Sequence, residues 1–280
     1  MNPDWKAIEA EEPGLKVKSI DFLGEGWCSR VYLVNRELVF RFPKRAEQWE
    51  ELHREIRLLD FAADRLPLAV PRYCRVARDH AVYRYLSGDL LNPATAPGAA
   101  ETLAGFLQAM HSLDPPPPLR DLLPREDQRA NAKEDLARAE SVIIPNLSPN
   151  EAETLRRRFE EYLSTPANFS FRPVVLHADL ANDHILAQKG MVTGILDFGD
   201  ACWGDADYDF MYLYVDFGRE LALDVALRYG RRDLESLERK LLYFAITDQI
   251  GTILDGAGRA PAGSDARAWK HLHALLSDRR

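Results

Sequence analysis

The sequence predicts an α+β chain of two lobes: a small N-terminal antiparallel sheet carrying one helix, then a larger, mostly helical part. Three observations predict it. Residues 15–42 contain the runs LKVKSIDFL, RVYLV and ELVFRF, rich in the β-branched and aromatic residues that favour strands. The next stretch, AEQWEELHREIRLLDFAADRL, sets Trp49, Leu52, Ile56, Leu59 and Ala63 three and four residues apart, the spacing of an amphipathic helix. Beyond residue 98, helical periodicity recurs in AAETLAGFLQAMHSL, REDQRANAKEDLARAESV and SPNEAETLRRRFEEYLS.

In chain order, NRE between the second and third runs reads as a hairpin turn, and YCRVA and AVYRYL follow the helix as two further strands. Gly88 and NPATAPG break the pattern, which divides the chain into lobes 1–88 and 89–280. DPPPPL at 114–119 is expected to be a non-helical surface connection. A strand-rich island at 173–198 interrupts the helices, which resume from about 205.

A chain of 280 residues that is 46% apolar can bury a sizeable core. No apolar run reaches the ~18 residues of a membrane helix, and the opening segment lacks the pattern of a targeting peptide; a cytoplasmic protein is expected. Cys28, Cys74 and Cys202 lie far apart, as reduced packing residues do. A formal charge of -8 argues against nucleic-acid partners and leaves room for a cationic ligand.

The segment LHADLANDHILA places His177, Asp179, Asp183 and His184 within eight positions. A metal-bound hydrolytic site, a phosphoryl-transfer loop and a polar turn are all open readings. PVVL before it and HILA at 184–187 have strand character, and KG then turns the chain into MVTGILDFGD, so two hairpin strands would carry Asp179, His184 and Asp197 to one end of a small sheet. Spacing then selects among the three. His177-x-Asp179, His184 five residues later, and Asp197-Phe198-Gly199 reproduce the order of a kinase catalytic loop and its D-F-G element, with histidine in place of asparagine. Upstream, Gly24-x-Gly26-x-x-Ser29-x-Val31 supplies a glycine-rich hairpin with serine at the third glycine position; Arg41 lies on the third strand and Glu55 on the helix that would hold it.

With these elements in order, residues 20–215 resemble the aminoglycoside phosphotransferase family, small-molecule kinases with a bilobal protein-kinase-like fold. HADLANDHIL and GILDFGDACWGDADYDF are most similar to the branch that modifies the 2''-hydroxyl, while VFRFPKR and His184 also resemble macrolide kinases. The resemblance implies that Asp179 orients and deprotonates the acceptor hydroxyl. It implies that His184 and Asp197 hold Mg2+ on the phosphates of ATP or GTP, and that Arg41 touches those phosphates. Asp205 and Asp209 in DADYD would brace the catalytic loop. Three positions depart from the pattern: Arg41 stands where lysine is usual, with Lys44 in reserve; Ala206 replaces a proline; and Ala181 replaces a lysine of protein kinases.

Seven residues separate Asp197 from DADYDF, too few for a peptide-docking platform. From Ile195 to Asp255 there are 13 acidic residues against 6 basic, so Asp200, Asp216 and Glu220 are candidates to hold a cationic acceptor, with Trp203 lining its pocket. The purine would be read by backbone near Arg84 to Ser87. His177 reads as a bracing core residue and Asp183 as a turn residue. His53, His80, His111, His271 and His273 read as surface or packing residues. The expected state is a monomer or weak dimer with neither nucleic-acid nor membrane partners. Alternatives are a macrolide or small-metabolite kinase, a nucleotide-binding pseudokinase, and a metallohydrolase built on His177, Asp179, His184 and Asp197.

Overall fold

The computed structural model describes residues 3–11, 14–125, 127–255 and 263–277. A short helix, α1 (Trp5–Glu11), precedes β1 (Ile20–Glu25), β2 (Ser29–Val34), β3 (Leu38–Pro43), α2 (Ala46–Ala62), β4 (Tyr73–Val76) and β5 (Ala81–Arg84). The strands form one antiparallel sheet in the order β1-β2-β3-β5-β4. The β2–β3 turn has positive φ at Asn35 and Arg36, the geometry of a two-residue hairpin whose twist matches its strands.

Alternation along β3 divides its side chains between two faces. Phe40 packs with Val34, Val82 and Ile8 of α1, and Trp5 meets Tyr32, Phe40 and Phe42 edge-on at 5.3–5.9 Å. Val39 packs on the opposite face with Leu33 and Tyr83, and Arg41 follows it two residues on. The lobe therefore carries two helices where the sequence indicated one. A seven-residue helix is too short to show a periodic stripe, although Asp4 caps it by accepting from Lys6 N and Ala7 N.

The hydrophobic core crosses a division at residue 88. Leu58, Leu59, Ala62 and Val70 belong to the large C-terminal core. The chain after α2 also pairs with the second lobe, where Ile195 N donates to the Ala69 carbonyl at 2.9 Å. Glycine is needed at 194 for that approach, since a Cβ there would stand 3.0 Å from the same oxygen.

The larger lobe runs through β6 (Asp89–Leu90), α3 (Ala100–His111), α4 (Pro117–Arg120), α5 (Gln128–Arg138), α6 (Pro149–Ser164), β7 (Val174–Leu176), β8 (Ile185–Gln188), β9 (Met191–Ile195), β10 (Cys202–Gly204), α7 (Met211–Phe217), α8 (Arg219–Tyr229), α9 (Leu234–Asp255) and α10 (Ser264–Ser277). The helix expected from Arg125 begins at Gln128; residue 126 lies outside the described residues. DPPPPL is partly helical after all: Pro117 and Pro118 open α4, where a missing N–H costs nothing because first-turn amides are unpaired anyway. The hairpin expected at the KG turn is present, and the partner of β7 comes from further along the chain. β7 pairs with β10, whereas β8 forms the hairpin with β9 and pairs with β6.

Lys240 lies on the apolar face of α9 with Leu237, Leu241 and Phe244, yet it is buried. Its ammonium bonds to Asp205 and lies 2.7 Å from Asp207. Lys240→Met should lower stability by about 3–5 kcal/mol, because it leaves the buried Asp205 carboxylate without its cation and Asp207 with Arg231 alone; a urea midpoint equal to wild type would contradict this.

Candidate active site

Local chemistry holds the catalytic segment in an unusual backbone shape. Ala178 has φ +65 and Asp197 has φ +55, a region costly for residues with a Cβ. The bent loop at Ala178 is stabilised from below by Asp209. This fully buried carboxylate accepts from His177 N at 2.9 Å, Ala178 N at 2.7 Å and His111 Nε2 at 2.9 Å. His111 Nδ1 in turn accepts from the Tyr229 hydroxyl at 2.9 Å. Burial alone would raise the Asp209 pKa, but the His111 hydrogen bond and the nearby imidazoles hold it below the usual carboxylate range. Asp205 acts elsewhere: it caps the turn at 206–210 and pairs with Lys240.

His177 is buried against Phe198, ring centroids 4.6 Å apart. Its Nε2 donates to the Leu196 carbonyl and its Nδ1 accepts from Asp179 N. Burial lowers its pKa to about 4, which keeps it a neutral brace.

Three of the expected side chains converge beyond this brace. His184 Nδ1 donates to the Asp179 carbonyl at 2.9 Å and lies 3.3 Å from Asp179 Oδ2. That bond leaves the Nε2 lone pair facing Asp197 Oδ2 at 3.9 Å. Burial pushes the Asp179 carboxyl up, to about 8; His184 pulls it down, and Asp200 and Asp197 add to the rise. Burial opposes protonation of His184, yet Asp179, Asp197 and Asp183 together raise its pKa. So concentrated a negative charge is a setting for cations.

Arg41 closes the other side. Its Nη1 bonds both oxygens of Glu55, at 2.9 and 2.8 Å, and Nη2 lies 3.4 Å from Asp197 Oδ1. The Tyr73 hydroxyl accepts from Arg41 at 3.1 Å and donates to Glu55 at 3.0 Å. Burial pushes Glu55 up against the pull of Arg41. Asp197, by contrast, is held low despite its burial, first by Arg41 and then by His184. Lys44 points instead at Glu25 in the glycine-rich hairpin, 3.2 Å away. Above the site, a Cβ at Gly24 or Gly26 would meet nothing within 4 Å, and Ser29 starts β2 buried.

Beside these groups lies a cleft of about 590 Å³ whose lining includes Asp200 and Trp203 but neither Asp216 nor Glu220. Asp216 instead accepts from Asn182 N at 2.9 Å, and Glu220 is exposed in the first turn of α8. The cleft's other carboxylates come from Glu51, Asp135 and Asp248, which the sequence reading did not single out. His111, Tyr73 and Tyr229 were missed too; each is unremarkable except by its partners.

The donor set can be compared with a metal. Among the described residues, no three His, Cys, Asp or Glu side chains are grouped to hold an ion by themselves, which does not fit the metallohydrolase alternative. His184 and Asp197 as a pair do fit a magnesium ion that takes its remaining ligands from phosphates and water.

The family model for the phosphotransferase enzyme family matches residues 19–244. The chain belongs to that family. This phosphotransferase is similar to the solved GDP complex of wild-type aminoglycoside 2'-phosphotransferase-IIIa, with TM-score 0.90 and 26% identity over 99% of this chain and 98% of that one. It is likewise similar to the GDP and kanamycin complex of APH(2'')-IIIa, with TM-score 0.88 and 27% identity over 99% of both chains. Macrolide 2'-phosphotransferase type I shares the fold, with TM-score 0.76 and 23% identity over 95% of this chain and 94% of that one. A curated relative, homoserine kinase of Neisseria meningitidis serogroup B, is 30% identical over 120 residues, 40% of this chain; the match spans 38% of that relative's length. The protein-kinase-like fold of this phosphotransferase has its five-stranded sheet in the N-terminal lobe. No helix among the described residues is long and apolar enough to cross a membrane.

Asp209→Asn should cost about 2–5 kcal/mol and lower kcat, since the amide turns a donor toward backbone N–H groups. A carboxylate held low in the folded state stabilises it above pH ~4, and that contribution is lost as pH falls through the folded value. Wild type should therefore lose its advantage over the variant in acid; a constant difference from pH 7 to pH 3 would contradict the assignment.

Proposed function

We propose that this phosphotransferase moves the γ-phosphoryl group of ATP or GTP to a hydroxyl of a small, amine-bearing acceptor, an aminoglycoside being the best candidate. The observation that carries the reading is the convergence of Asp179, His184 and Asp197 beside an acid-lined cleft, which Ala178 and Gly199 line. Phosphoryl transfer passes through a loose transition state, so the protein's work is alignment and charge neutralisation. Asp179 accepts the proton of the acceptor hydroxyl. His184 Nε2 and Asp197 are the residues that would hold Mg2+, which would supply neutralisation of the phosphate charge. Arg41 keeps Glu55 and Asp197 in place, and its Nη2, only loosely held, can turn to a phosphate oxygen. The open space over Gly24 and Gly26 lets backbone N–H groups approach those phosphates. Inter-lobe backbone near Ser87, anchored by Gln188 Nε2 at 3.1 Å, reads the purine.

Two structures similar to this chain hold GDP, and one of them also holds kanamycin. These support a nucleotide donor and an aminated acceptor. The macrolide and homoserine kinases among the relatives keep a macrolide or amino alcohol as the second reading.

Asp179→Ala should lower kcat by about 10²–10⁴ with nucleotide Kd changed by no more than about twofold. Asp197→Ala should weaken Mg2+-nucleotide binding by at least the ~10–100-fold that loss of even an outer-shell metal partner costs. Equal loss of nucleotide affinity in both variants, measured by calorimetry, would contradict the roles.

A panel of aminoglycosides, macrolides and amino alcohols with ATP, GTP and Mg2+ tests the acceptor. An aminoglycoside product heavier by one phosphoryl group in mass spectrometry is the expected result. Products from macrolides or amino alcohols alone would replace the first reading with the second.

A further inference from the structure

The glycine-rich hairpin is fastened to α2 more firmly than a phosphate cover requires. The buried carboxamide of Gln48 donates to the Trp27 carbonyl at 3.1 Å and accepts from Lys44 N at 3.1 Å. Lys44 N also donates to the Cys28 carbonyl at 3.0 Å. The Cys28 thiol donates to Glu51 at 3.3 Å, and Glu25 pairs with Arg30 and Lys44. These ties hold the tip of the hairpin, and the tip residue is a tryptophan.

Trp27 is 39% exposed, and it lines the cleft together with Glu51 and Arg54 of α2 and with Asp200 and Trp203. An indole and a carboxylate thus line the same space from the nucleotide-side lobe. An indole face attracts an ammonium within about 6 Å of its centroid, and it also covers the apolar face of a saturated ring.

We propose that the hairpin tip and the facing turn of α2 form the upper half of the acceptor site, with Trp27 as its specificity-determining residue for an amine-bearing saturated ring. The indole stacks over the ring, and Glu51 takes an ammonium. The same hairpin then touches both substrates, so the acceptor is held between lobes and not by the helical lobe alone. This assignment rests on the acceptor reading given above.

The test is steady-state kinetics of full-length Trp27→Ala and Trp27→Phe with the acceptor that wild type phosphorylates, kanamycin being tried first. Trp27→Ala should raise the acceptor KM about tenfold, in keeping with a lost cation–π and stacking contact. The nucleotide KM should move by no more than about twofold, and Trp27→Phe should recover most of the loss. A nucleotide KM rising in step with the acceptor KM would make Trp27 a structural residue of the hairpin and overturn the proposal. An acceptor KM unmoved in Trp27→Ala would overturn it as well, while leaving the acceptor reading intact. Wild type inert toward the whole panel would remove the acceptor reading, and this assignment with it.

Discussion

One buried cation joins the two lobes. Arg41 sits on the sheet, and its Nη1 is committed to Glu55 of α2 while Nη2 reaches Asp197 from the other lobe. Without it, the buried Glu55 carboxylate would lose its cation, and an uncompensated buried charge costs several kcal/mol; Asp197, whose side chain is 40% exposed, would lose its nearest positive charge on the sheet. Gly199 belongs to the same constraint: a Cβ there would press to 3.3 Å from Asp197 Oδ1 and 3.8 Å from Glu55 Oε2. Arginine suits the position because its two terminal nitrogens can serve two carboxylates at once, whereas an ammonium is a single point. The fork is nonetheless used incompletely, since Nε is buried with no partner. The guanidinium is therefore placed for its charge at two carboxylates, not for a bidentate grip on one.

The second constraint is the strained loop. Ala178 and Asp197 each carry positive φ at a cost of order 1–3 kcal/mol. Both strained residues are held by hydrogen bonds to carboxylates, but in opposite senses. At Ala178 the backbone donates to a carboxylate beneath it, Asp209; at Asp197 the residue's own carboxylate is approached by Arg41 Nη2 and by Gly199 N, each at 3.4 Å. The active side chains thereby gain fixed directions from backbone that would otherwise relax. His184 completes the arrangement by spending Nδ1 on the Asp179 carbonyl, which fixes the tautomer and the aim of Nε2.

What the sequence disclosed follows from how local each feature is. Strands β1–β3, helix α2 and the ordered catalytic motifs are contiguous patterns, so period and spacing suffice. The pairing of β7 with β10 joins residues 174–176 to 202–204, and no short-range pattern distinguishes it from a hairpin with β8. Lys240 did leave a signal. A lysine in line with Leu237, Leu241 and Phe244 on one helix face points to a buried anionic partner, though not to which one. The acceptor side fared worst, because acidity counted along the chain says nothing of which way a helix turns its face. Asp200 reaches the cleft, Asp216 turns to the backbone of Asn182, and Asp135 and Asp248 arrive from α5 and α9.

The short link between Asp197 and Asp205 limits what can be phosphorylated. Its residues are not spare loop: Cys202, Trp203 and Gly204 form β10 and pair with β7. Trp203 N donates to the Pro124 carbonyl at 2.8 Å, and its indole N–H donates to the Arg120 carbonyl at 3.1 Å. The Cβ of any residue at 204 would stand 2.6 Å from Leu176 Cδ1, so the strand lies pressed onto β7. A segment so bound cannot swing out as an extended platform for a polypeptide. It lines the cleft instead, as do Trp27 and Glu51. On the function proposed above, an acceptor hydroxyl enters by that cleft, and a segment pinned along it leaves room for a small molecule and not for a docked polypeptide.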